Sequence, residues 1–276
     1  MNDRPAPPQR PAVRVTVGQL AASTDHRANR EAARDAFRAA GHARADLLVL
    51  PEYSSGFEPR GVGWEHAEPL GGPFVSALRE QAAATGVAVL AGVTLPGTAD
   101  DARAVNAVVA VDSSGALVGA YAKVHLYDAF GQRESDRLQP GPADAPPLVM
   151  DVAGLRFGVL TCYDLRFPES ARRAVDAGAE VLVVPAAWAA GELKAMHWRT
   201  LAIARAIENT AAVVAVGMAG RGVVGRSLVV GPDGVVGVEL DEAPQLRTVD
   251  VDAARLHEVR QANPSLTNRR YRVSPA

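Results

Sequence analysis

The sequence predicts an α/β protein built around a mixed sheet, and three features of the chain support this. Short apolar runs such as Val13–Gln19 and Leu47–Leu50 have the length and composition of buried strands. They alternate with segments of helical period such as Asp25–Ala40, which gathers its apolar residues on one face. A turn at Asp112–Gly115 joins two further runs and predicts a hairpin, so some strand pairs are antiparallel.

In the first half of the chain, strands are assigned to runs rich in Val, Leu and Ala, and helices to periodic segments with end signals. Pro73 suits the first turn of a helix, and Gly86 suits the position after its last turn. The expected elements are strands Val13–Gln19, Leu47–Leu50, Val87–Val93, Ala107–Val111 and Leu117–Ala122, with helices Asp25–Ala40 and Pro73–Thr85.

The second half continues the alternation after Asp128–Pro147, a stretch rich in Gly, Pro and charge that predicts a surface loop. Pro232-Asp233-Gly234 predicts another hairpin turn. The expected elements are strands Leu155–Thr161, Val181–Val184, Ala212–Val216, Val224–Val230, Val235–Leu240 and Leu246–Val251, with helices Glu169–Ala177, Leu193–Glu208 and Ala253–Val259.

A chain of 276 residues, 48% of them hydrophobic, is long enough for one large domain. No internal segment marks a domain boundary, so a single domain is expected over residues 13–260. Residues 1–12 hold four prolines and no periodic apolar face, which predicts a flexible tail. Residues 261–276 are expected to form a C-terminal tail.

Composition and charge exclude several classes of partner. A net charge of −2 offers no basic patch for nucleic acid. No apolar run approaches the roughly 18 residues of a membrane span, so no membrane contact is expected. The single cysteine, Cys162, forbids an internal disulfide and fits a reducing, cytoplasmic compartment. The six histidines lack metal-ligand spacing, and we expect neither a metal nor a cofactor.

Three reactive side chains, Glu52, Lys123 and Cys162, each follow directly after a strand-like run. Active sites in open α/β sheets lie just outside the carboxyl ends of the strands, so we expect these three side chains to converge on one pocket. Pro168-Glu169 predicts a helix start behind Cys162, and the positive end of a helix favours a thiolate. The competing interpretation is a buried structural thiol.

Together the three groups suit covalent acyl transfer. A carboxylate such as Glu52 takes the thiol proton and returns it to a leaving group. The Cys162 thiolate attacks a carbonyl or nitrile carbon, and the Lys123 ammonium stabilises the oxyanion that develops.

The order and the amino-acid sequences of these motifs resemble those of the nitrilase superfamily of carbon–nitrogen hydrolases. The resemblance rests on Pro51-Glu52, on the run from Lys123 to Asp128, and on Cys-Tyr-Asp-Leu-Arg-Phe-Pro-Glu from Cys162 to Glu169. It covers nearly the whole chain after about residue 12, and the wording at Cys162 is closest to the amidase branch related to omega-amidases.

The resemblance implies a four-layer α-β-β-α sandwich, a Glu52–Lys123–Cys162 triad and a second glutamate at Glu134. It also implies a small-molecule amide substrate, no cofactor, and a homodimer or larger homo-oligomer. The expected reaction is hydrolysis of a small carboxamide through a cysteine thioester, with release of ammonia. Hydrolysis of a nitrile or of a carbamoyl or ureido compound, and acyl transfer to an amine, remain alternatives on the same triad.

We expect the substrate to contact Tyr53, Tyr163, Arg166 and Trp188, with a backbone N–H near Tyr163 assisting at the oxyanion. Arg166 either clamps a distal carboxylate of the substrate or forms a scaffold ion pair with Asp164 or Glu169, and the scaffold role is favoured. Arg133 and Arg226 are weaker candidates for the clamp. Two other classes of function also stay open: a thiol redox protein using Cys162, and a non-catalytic binding protein.

Overall fold

The computed structural model of the protein describes residues 12–98 and 100–275. The expected flexible tail therefore lies outside the described residues, apart from Ala12, which begins the first strand. Within the described ranges, no helix is both long and apolar enough to cross a membrane.

Thirteen strands are described, and they fall into two groups along the chain. The first six are β1 (Ala12–Gln19), β2 (Leu47–Val49), β3 (Ala88–Leu95), β4 (Ala104–Val111), β5 (Leu117–Ala122) and β6 (Leu138–Gln139). The others are β7 (Val149–Val152), β8 (Leu155–Val159), β9 (Val181–Ala186), β10 (Ala212–Gly217), β11 (Leu228–Val230), β12 (Val236–Glu239) and β13 (Gln245–Asp252).

Five α-helices and three 3₁₀ turns complete the described elements. The helices are α1 (His26–His42), α2 (Pro73–Thr85), α3 (Pro168–Asp176), α4 (Lys194–Asn209) and α5 (Ala253–Ala262). The 3₁₀ turns are Trp64–His66, Glu134–Asp136 and Cys162–Arg166. The end signals act as the sequence predicts, because Pro73 opens α2 and Gly86 adopts the left-handed conformation directly after it.

The strands form two mixed sheets. One has the order β13-β1-β2-β3-β4-β5, with the short β6 pairing with β4; the other has the order β12-β11-β10-β9-β8-β7. In each sheet the three central strands, β1-β2-β3 and β8-β9-β10, are parallel. The outer pairs are antiparallel, apart from the parallel pairing of β6 with β4.

The two sheets pack face to face, and helices cover both outer faces. Val15 and Leu90 of one sheet share a core with Phe157 and Val183 of the other. The outer face of the first sheet packs against α1 and α2, and that of the second against α3 and α4. Both faces of the central strands are covered, which explains their continuous apolar runs. The four-layer α-β-β-α sandwich is confirmed.

The strand directions bring the reactive residues to one edge. β3, β4 and β5 alternate in direction, so β5 ends at the same edge as β2 and β3. Glu52 follows β2 and Lys123 follows β5 at this edge, while Cys162 follows β8 in the facing sheet. The start of β4 also lies here, because it runs the opposite way, and this places Asn106 at the same edge.

Some predicted elements need correction. Val224–Val230 is a strand only at Leu228–Val230, since Gly225 and Arg226 have positive φ values that break an extended chain. The expected loop Asp128–Pro147 contains the 3₁₀ turn that carries Glu134 and the short strand β6. β7 was not predicted; it forms a hairpin with β8 through a two-residue turn at Ala153 and Gly154, both with positive φ.

Gly92 on β3 is where the fold directly supports the position of Glu52. A Cβ atom at Gly92 would meet the Cα atom of Glu52 and lie 2.6 Å from the carbonyl oxygen of Pro51. Backbone hydrogen bonds of Gly92 with Pro51 (3.1 Å) and Ser54 (2.8 Å) hold the segment this close. Only glycine allows this approach.

Gly92→Ala should therefore destabilise the protein and displace Glu52. We expect a loss of about 1–3 kcal/mol from overpacking, and a melting temperature lower by roughly 3–10 °C. Gly71→Ala is the matched control, because a Cβ there meets nothing within 4 Å. Equal melting temperatures for the two variants in a thermal unfolding scan would contradict the close packing at Gly92.

Candidate active site

Cys162 sits on a sharp bend between β8 and a 3₁₀ turn. Its φ angle is 47°, in the left-handed region that non-glycine residues seldom adopt. The side chain is 8% exposed, and the Thr161 and Asp164 side chains form a capping box around the bend. Asp164 is fully buried and also accepts hydrogen bonds from Tyr121 Oη (2.7 Å) and from the backbone N–H of His125 (3.1 Å). Asp164 therefore anchors the bend that directs the thiol.

Lys123 joins two carboxylates in the interior. Its Nζ atom donates to Glu52 Oε1 at 2.9 Å and lies 2.9 Å from both carboxylate oxygens of Glu134. The Lys123 and Glu52 side chains are each 1% exposed, and that of Glu134 is 14% exposed. The three residues predicted from separate motifs thus lie in direct contact.

Both oxygens of Glu52 are held in place. Asn106 Nδ2 donates to Oε1 at 2.7 Å, and the backbone N–H of Ala187 donates to Oε2 at 2.6 Å. Asn106 is fully buried in β4, while Ala187 follows β9 of the other sheet, so both sheets fix this one carboxylate. A carboxylate oriented by three donors, including Lys123, keeps a fixed geometry toward the neighbouring thiol.

Glu134 is fixed in a similar way from the loop after β5. The Tyr53 hydroxyl donates to its Oε1 atom, and the backbone N–H of Tyr127 donates to its Oε2 atom at 2.6 Å. Tyr53 also has a positive φ of 57°. Its hydroxyl is thus committed to Glu134, which leaves only the ring of Tyr53 available for the expected substrate contact.

The charges at the site set the protonation states. Burial alone would lower the pKa of Lys123, but the charges of Glu134 and Glu52 raise it well above its usual value. Burial alone would raise the pKa of Glu134, but Lys123 and the hydrogen bonds from Tyr53 and Lys123 lower it. The lysine is therefore an ammonium and Glu134 a carboxylate at neutral pH.

The surroundings of Cys162 oppose the thiolate that the helix end by itself would favour. Burial, and after it the negative charge of Glu52, raise the pKa of the Cys162 thiol well above its usual value. The charge of Lys123 lowers the pKa of the thiol, but burial and the charges of Glu52 and Glu134 together outweigh it. The resting cysteine is a neutral thiol beside a carboxylate, so ionisation requires transfer of the proton to a base.

Cys162 lies where two cavities meet. The wide cleft, of about 270 Å³, is lined by Glu52, Lys123, Glu134, Tyr53 and the 57–62 loop, among others. A small recess of about 30 Å³ adjoins the cleft and shares Cys162, Tyr127, Ala187 and Ala189 with its lining. The recess is lined by Tyr127, Cys162, Tyr163, Arg166, Ala187, Trp188, Ala189 and Lys194. Neither Lys123 nor its two carboxylate partners, Glu52 and Glu134, line the recess.

Three of the four expected substrate contacts, Tyr163, Arg166 and Trp188, line this recess. The guanidinium of Arg166 lies 4.8 Å from the centre of the Trp188 ring and 3.4 Å from His197 Nδ1. The favoured scaffold ion pair of Arg166 with Asp164 or Glu169 does not form in the described part of the chain. Arg166 points into the recess instead.

The two weaker clamp candidates lie elsewhere. Arg133 is on the rim of the wide cleft, where its exposed side chain is 3.5 Å from Asp136. Arg226 pairs with Glu239 at 3.2 Å and lines neither of these two cavities. Arg226 lies where the expected strand is interrupted, and the direction of a side chain at such a position depends on the local φ angle, which the sequence does not reveal.

Sequence reasoning missed Asn106, Tyr127 and Lys194. The signal for Asn106 was a lone amide inside the apolar run Ala104–Val111. Tyr127 offers a backbone N–H, which side-chain motifs do not reveal. Lys194 opens α4, where a charged residue ordinarily faces solvent, but here it is 6% exposed.

Comparison with known proteins adds independent findings. Residues 14–261 match the carbon–nitrogen hydrolase family. The chain is 37% identical over 259 residues to a deaminated glutathione amidase from Escherichia coli O157:H7, covering 93% of this chain and 97% of that one. A deaminated glutathione amidase from Homo sapiens is 33% identical over 270 residues, covering 93% and 82%.

Solved structures of related proteins have a similar fold. A carbon–nitrogen hydrolase superfamily protein from Xanthomonas campestris superposes with a TM-score of 0.82 at 29% identity, covering 95% of this chain and 99% of that one. An amidase from Nesterenkonia gives a TM-score of 0.77 at 29% identity, covering 94% and 98%. In a mutant of the Nesterenkonia amidase, the acetamide moiety of fluoroacetamide is covalently attached to the active-site cysteine.

The match to the family spans most of the chain, and the relatives and solved structures agree with the four-layer fold. The expected resemblance to the nitrilase superfamily and its amidase branch is confirmed. The chain therefore belongs to the carbon–nitrogen hydrolase family, and it is an amidase-type hydrolase of carbon–nitrogen bonds.

Proposed function

We propose that Glu52, Lys123 and Cys162 catalyse the hydrolysis of a small amide through a thioester on Cys162. The observation that carries this proposal is the buried Lys123 ammonium bridging Glu52 and Glu134 beside the only thiol of the chain. The Nesterenkonia amidase, with its covalently modified cysteine, supports the same role for Cys162.

The first step is proton transfer coupled to attack. Glu52 takes the proton of the neutral thiol as the sulfur bonds to the amide carbon. Because the pKa of the thiol is raised by its surroundings, the thiolate forms only in company with the electrophile. The orientation of Glu52 by Asn106 and Ala187 keeps its basic oxygen directed at the sulfur during this transfer.

The oxyanion that forms is stabilised by charge already present. Lys123 Nζ donates to three carboxylate oxygens, one of Glu52 and both of Glu134, so it stabilises the substrate oxygen through its positive charge and by turning one N–H from Glu134 to that oxygen. A backbone N–H of the first turn after Cys162, near Tyr163, supplies a second donor, since such groups have no partner within the helix.

Collapse of the tetrahedral intermediate releases the amine, which takes the proton held by Glu52. Water then attacks the thioester, with Glu52 as the base, and the acid product leaves as the thiol regains its proton. Glu134 positions Lys123 and balances its charge. The bonds broken and formed are those of an ordinary amide hydrolysis, so no cofactor takes part.

The relatives named deaminated glutathione amidases favour an amide over a nitrile or a carbamoyl compound as the substrate. Release of ammonia from a primary amide and release of a larger amine both follow from the same steps. The thiol redox alternative has no support from the contacts, because Cys162 has two carboxylates and a lysine as neighbours.

We also propose that the enzyme works in the cytoplasm as a homo-oligomer. A reduced single cysteine at the site fits a reducing compartment. Met196 and Ile207 on α4 are each half exposed, and association of two copies would cover them. Light scattering of the purified protein tests the oligomeric state directly.

Cys162→Ala should abolish turnover and leave the fold intact, because the nucleophile is lost while its small side chain is replaced by a similar one. Ammonia release from simple amides should fall to the uncatalysed rate, with an unchanged circular dichroism spectrum. Iodoacetamide should inactivate the wild type, and an amide substrate should protect it. Full activity after stoichiometric alkylation of Cys162 would rule out the covalent route.

Glu52→Gln should lower kcat by at least about 100-fold, because the general base is lost. The same change should lower the pKa of the Cys162 thiol, since the charge of Glu52 contributes to raising it. A lower pKa of the thiol means more thiolate at neutral pH. Activity that falls while the thiolate fraction rises identifies Glu52 as a base rather than as a stabiliser of the thiolate. The ultraviolet absorbance of the thiolate, followed against pH with Cys162→Ala as the blank, measures the pKa.

Glu31→Gln, on the exposed face of α1, is the matched control and should change neither quantity. Near-normal kcat in Glu52→Gln, or a thiol that ionises at a higher pH than in the wild type, would disprove the base assignment.

Lys123→Ala should remove activity and also destabilise the protein, because it leaves two buried carboxylates without their cation. Breaking a buried ion pair costs about 3–5 kcal/mol. Combined with Glu52→Gln, its effect on kcat should be far from additive, as expected for residues that act as a unit. Single and double variants, assayed for kcat and denaturant midpoint, check both statements; additive losses in kcat would show independent roles.

A further inference from the structure

The loop of residues 57–66, whose first six residues line the wide cleft, is tied to the rest of the protein at both ends. At its start, the backbone N–H of Phe57 donates to the carbonyl oxygen of Ser23 at 2.9 Å. At its end, Nδ1 of His66 lies 3.4 Å from Nε2 of His26, the first residue of α1. The second attachment joins two imidazole rings, so its strength depends on their protonation.

The two histidine rings pack closely beneath the loop. Their centroids are 5.6 Å apart and their planes differ by 23°. His66 is 7% exposed, and the side chain of His26 is 27% exposed. A Cβ atom at Gly56 would lie within 3.2 Å of atoms in both rings, so a residue without a side chain lets the backbone pass this close to the pair.

Glu68 fixes the tautomer of His26. Its Oε1 atom lies 3.0 Å from His26 Nδ1, and its Oε2 atom accepts the backbone N–H of Phe74 at 2.7 Å. Arg30 Nη1 lies 3.8 Å from Oε1 of the same carboxylate. Because an ionised carboxylate only accepts hydrogen bonds, His26 Nδ1 carries a proton, and the neutral ring presents a lone pair at Nε2 to His66.

The contact between the rings tolerates one added proton but not two. With both rings neutral, His66 Nδ1–H donates to His26 Nε2. With one proton added, His26 becomes the donor, and His66 accepts through its other tautomer. With two protons added, each ring directs an N–H group at the other, and two positively charged rings face each other across 3.4 Å. Acid therefore breaks the contact, whereas neutral pH preserves it.

The surroundings of His66 set the direction of this pH dependence. Burial is the largest cause and lowers the pKa of His66; the charges of Glu65 and Glu58 raise it, and those of His26 and Arg137 lower it further. His66 is therefore neutral at pH 7. The hydrogen bond between the rings is present there and is lost as the pH falls below the usual histidine value of about 6.5.

We propose that His26 and His66 form a pH-sensitive latch, which holds the 57–66 loop against α1 at neutral pH and releases it in mild acid. Glu52, the base in the proposed mechanism, lines the same cleft as this loop, so the leaving half of the amide lies beside the loop. Release of the loop removes part of the cleft wall and weakens the binding of amides with a large leaving half. This effect on binding rests on the amidase function proposed above, whereas the movement of the loop does not.

Hydrogen–deuterium exchange of the peptide that contains residues 57–66 tests the latch without any substrate. After correction for the intrinsic pH dependence of exchange, the wild-type loop should exchange about 3- to 10-fold faster at about pH 5.5 than at about pH 7.5, the worth of one hydrogen bond. His66→Asn should abolish this difference, because the Asn amide places a donor where Nδ1 lies and does not titrate. His66→Ala should exchange fast at both pH values.

His257→Asn is the matched control and should keep the wild-type pH response, because His257 is an exposed histidine on α5 that contacts Gln261 outside the cleft. A second measurement uses N-benzylbutanamide, an amide with a large leaving half. Between the same two pH values, the KM of the wild type should rise about 3- to 10-fold relative to that of His66→Asn, while the ratio of their kcat values stays constant.

The outcomes separate the latch from the proposed function. A wild-type loop that exchanges equally at both pH values would overturn the latch, and so would a full pH response that persists in His66→Asn. Faster exchange in acid with an unchanged KM would overturn the effect of the latch on substrate binding. Failure of the wild type to hydrolyse any amide would instead refute the proposed function, and the exchange rates would still decide whether the latch exists.

Discussion

The active site depends on one buried ion cluster, in which Lys123 lies between Glu52 and Glu134. A lysine that is 1% exposed cannot remain charged unless opposite charges surround it, and two carboxylates supply them. Its contacts come from the ends of β2 and β5 and from the loop before β6, so the cluster ties three segments of the first sheet together. Asn106 and Ala187 extend it across both sheets through Glu52.

The second constraint is the bend at Cys162. A positive φ at a non-glycine residue costs roughly 1–3 kcal/mol, and it persists because neighbouring groups hold it. Asp164 does so from the 3₁₀ turn, through hydrogen bonds to Thr161, Tyr121 and His125. These contacts connect the second sheet to Tyr121 on β5, and Lys123 directly follows that strand. The bend and the ion cluster therefore keep a fixed distance from each other.

Sequence patterns predicted most of the residues in this ion cluster and at the bend, and the physical reasons can be named residue by residue. Glu52, Lys123 and Cys162 end apolar runs, and a polar residue in that position marks a strand end. Glu134 required the family resemblance, since it lies in an irregular loop whose path depends on β6 pairing with β4. The burial of Lys194 could not be predicted from the sequence, because it depends on aromatic rings from distant segments of the chain. The helix end beside Cys162 favours a thiolate, but burial and the charges of the two neighbouring carboxylates act in the opposite direction and raise the pKa of the thiol, which a sequence pattern does not reveal.

The neutral thiol changes how catalysis must be understood. At rest the cluster carries one net negative charge, from two carboxylates and one ammonium. In the proposed mechanism, Glu52 takes the thiol proton as the sulfur attacks, and that negative charge moves to the substrate oxygen beside Lys123. No new charge is created inside a medium that solvates charge poorly, and the positive charge that stabilises the oxyanion is already present on Lys123. The raised pKa of the thiol agrees with the proposed mechanism, since a pre-formed thiolate would add a second negative charge to the same buried space before any substrate arrived.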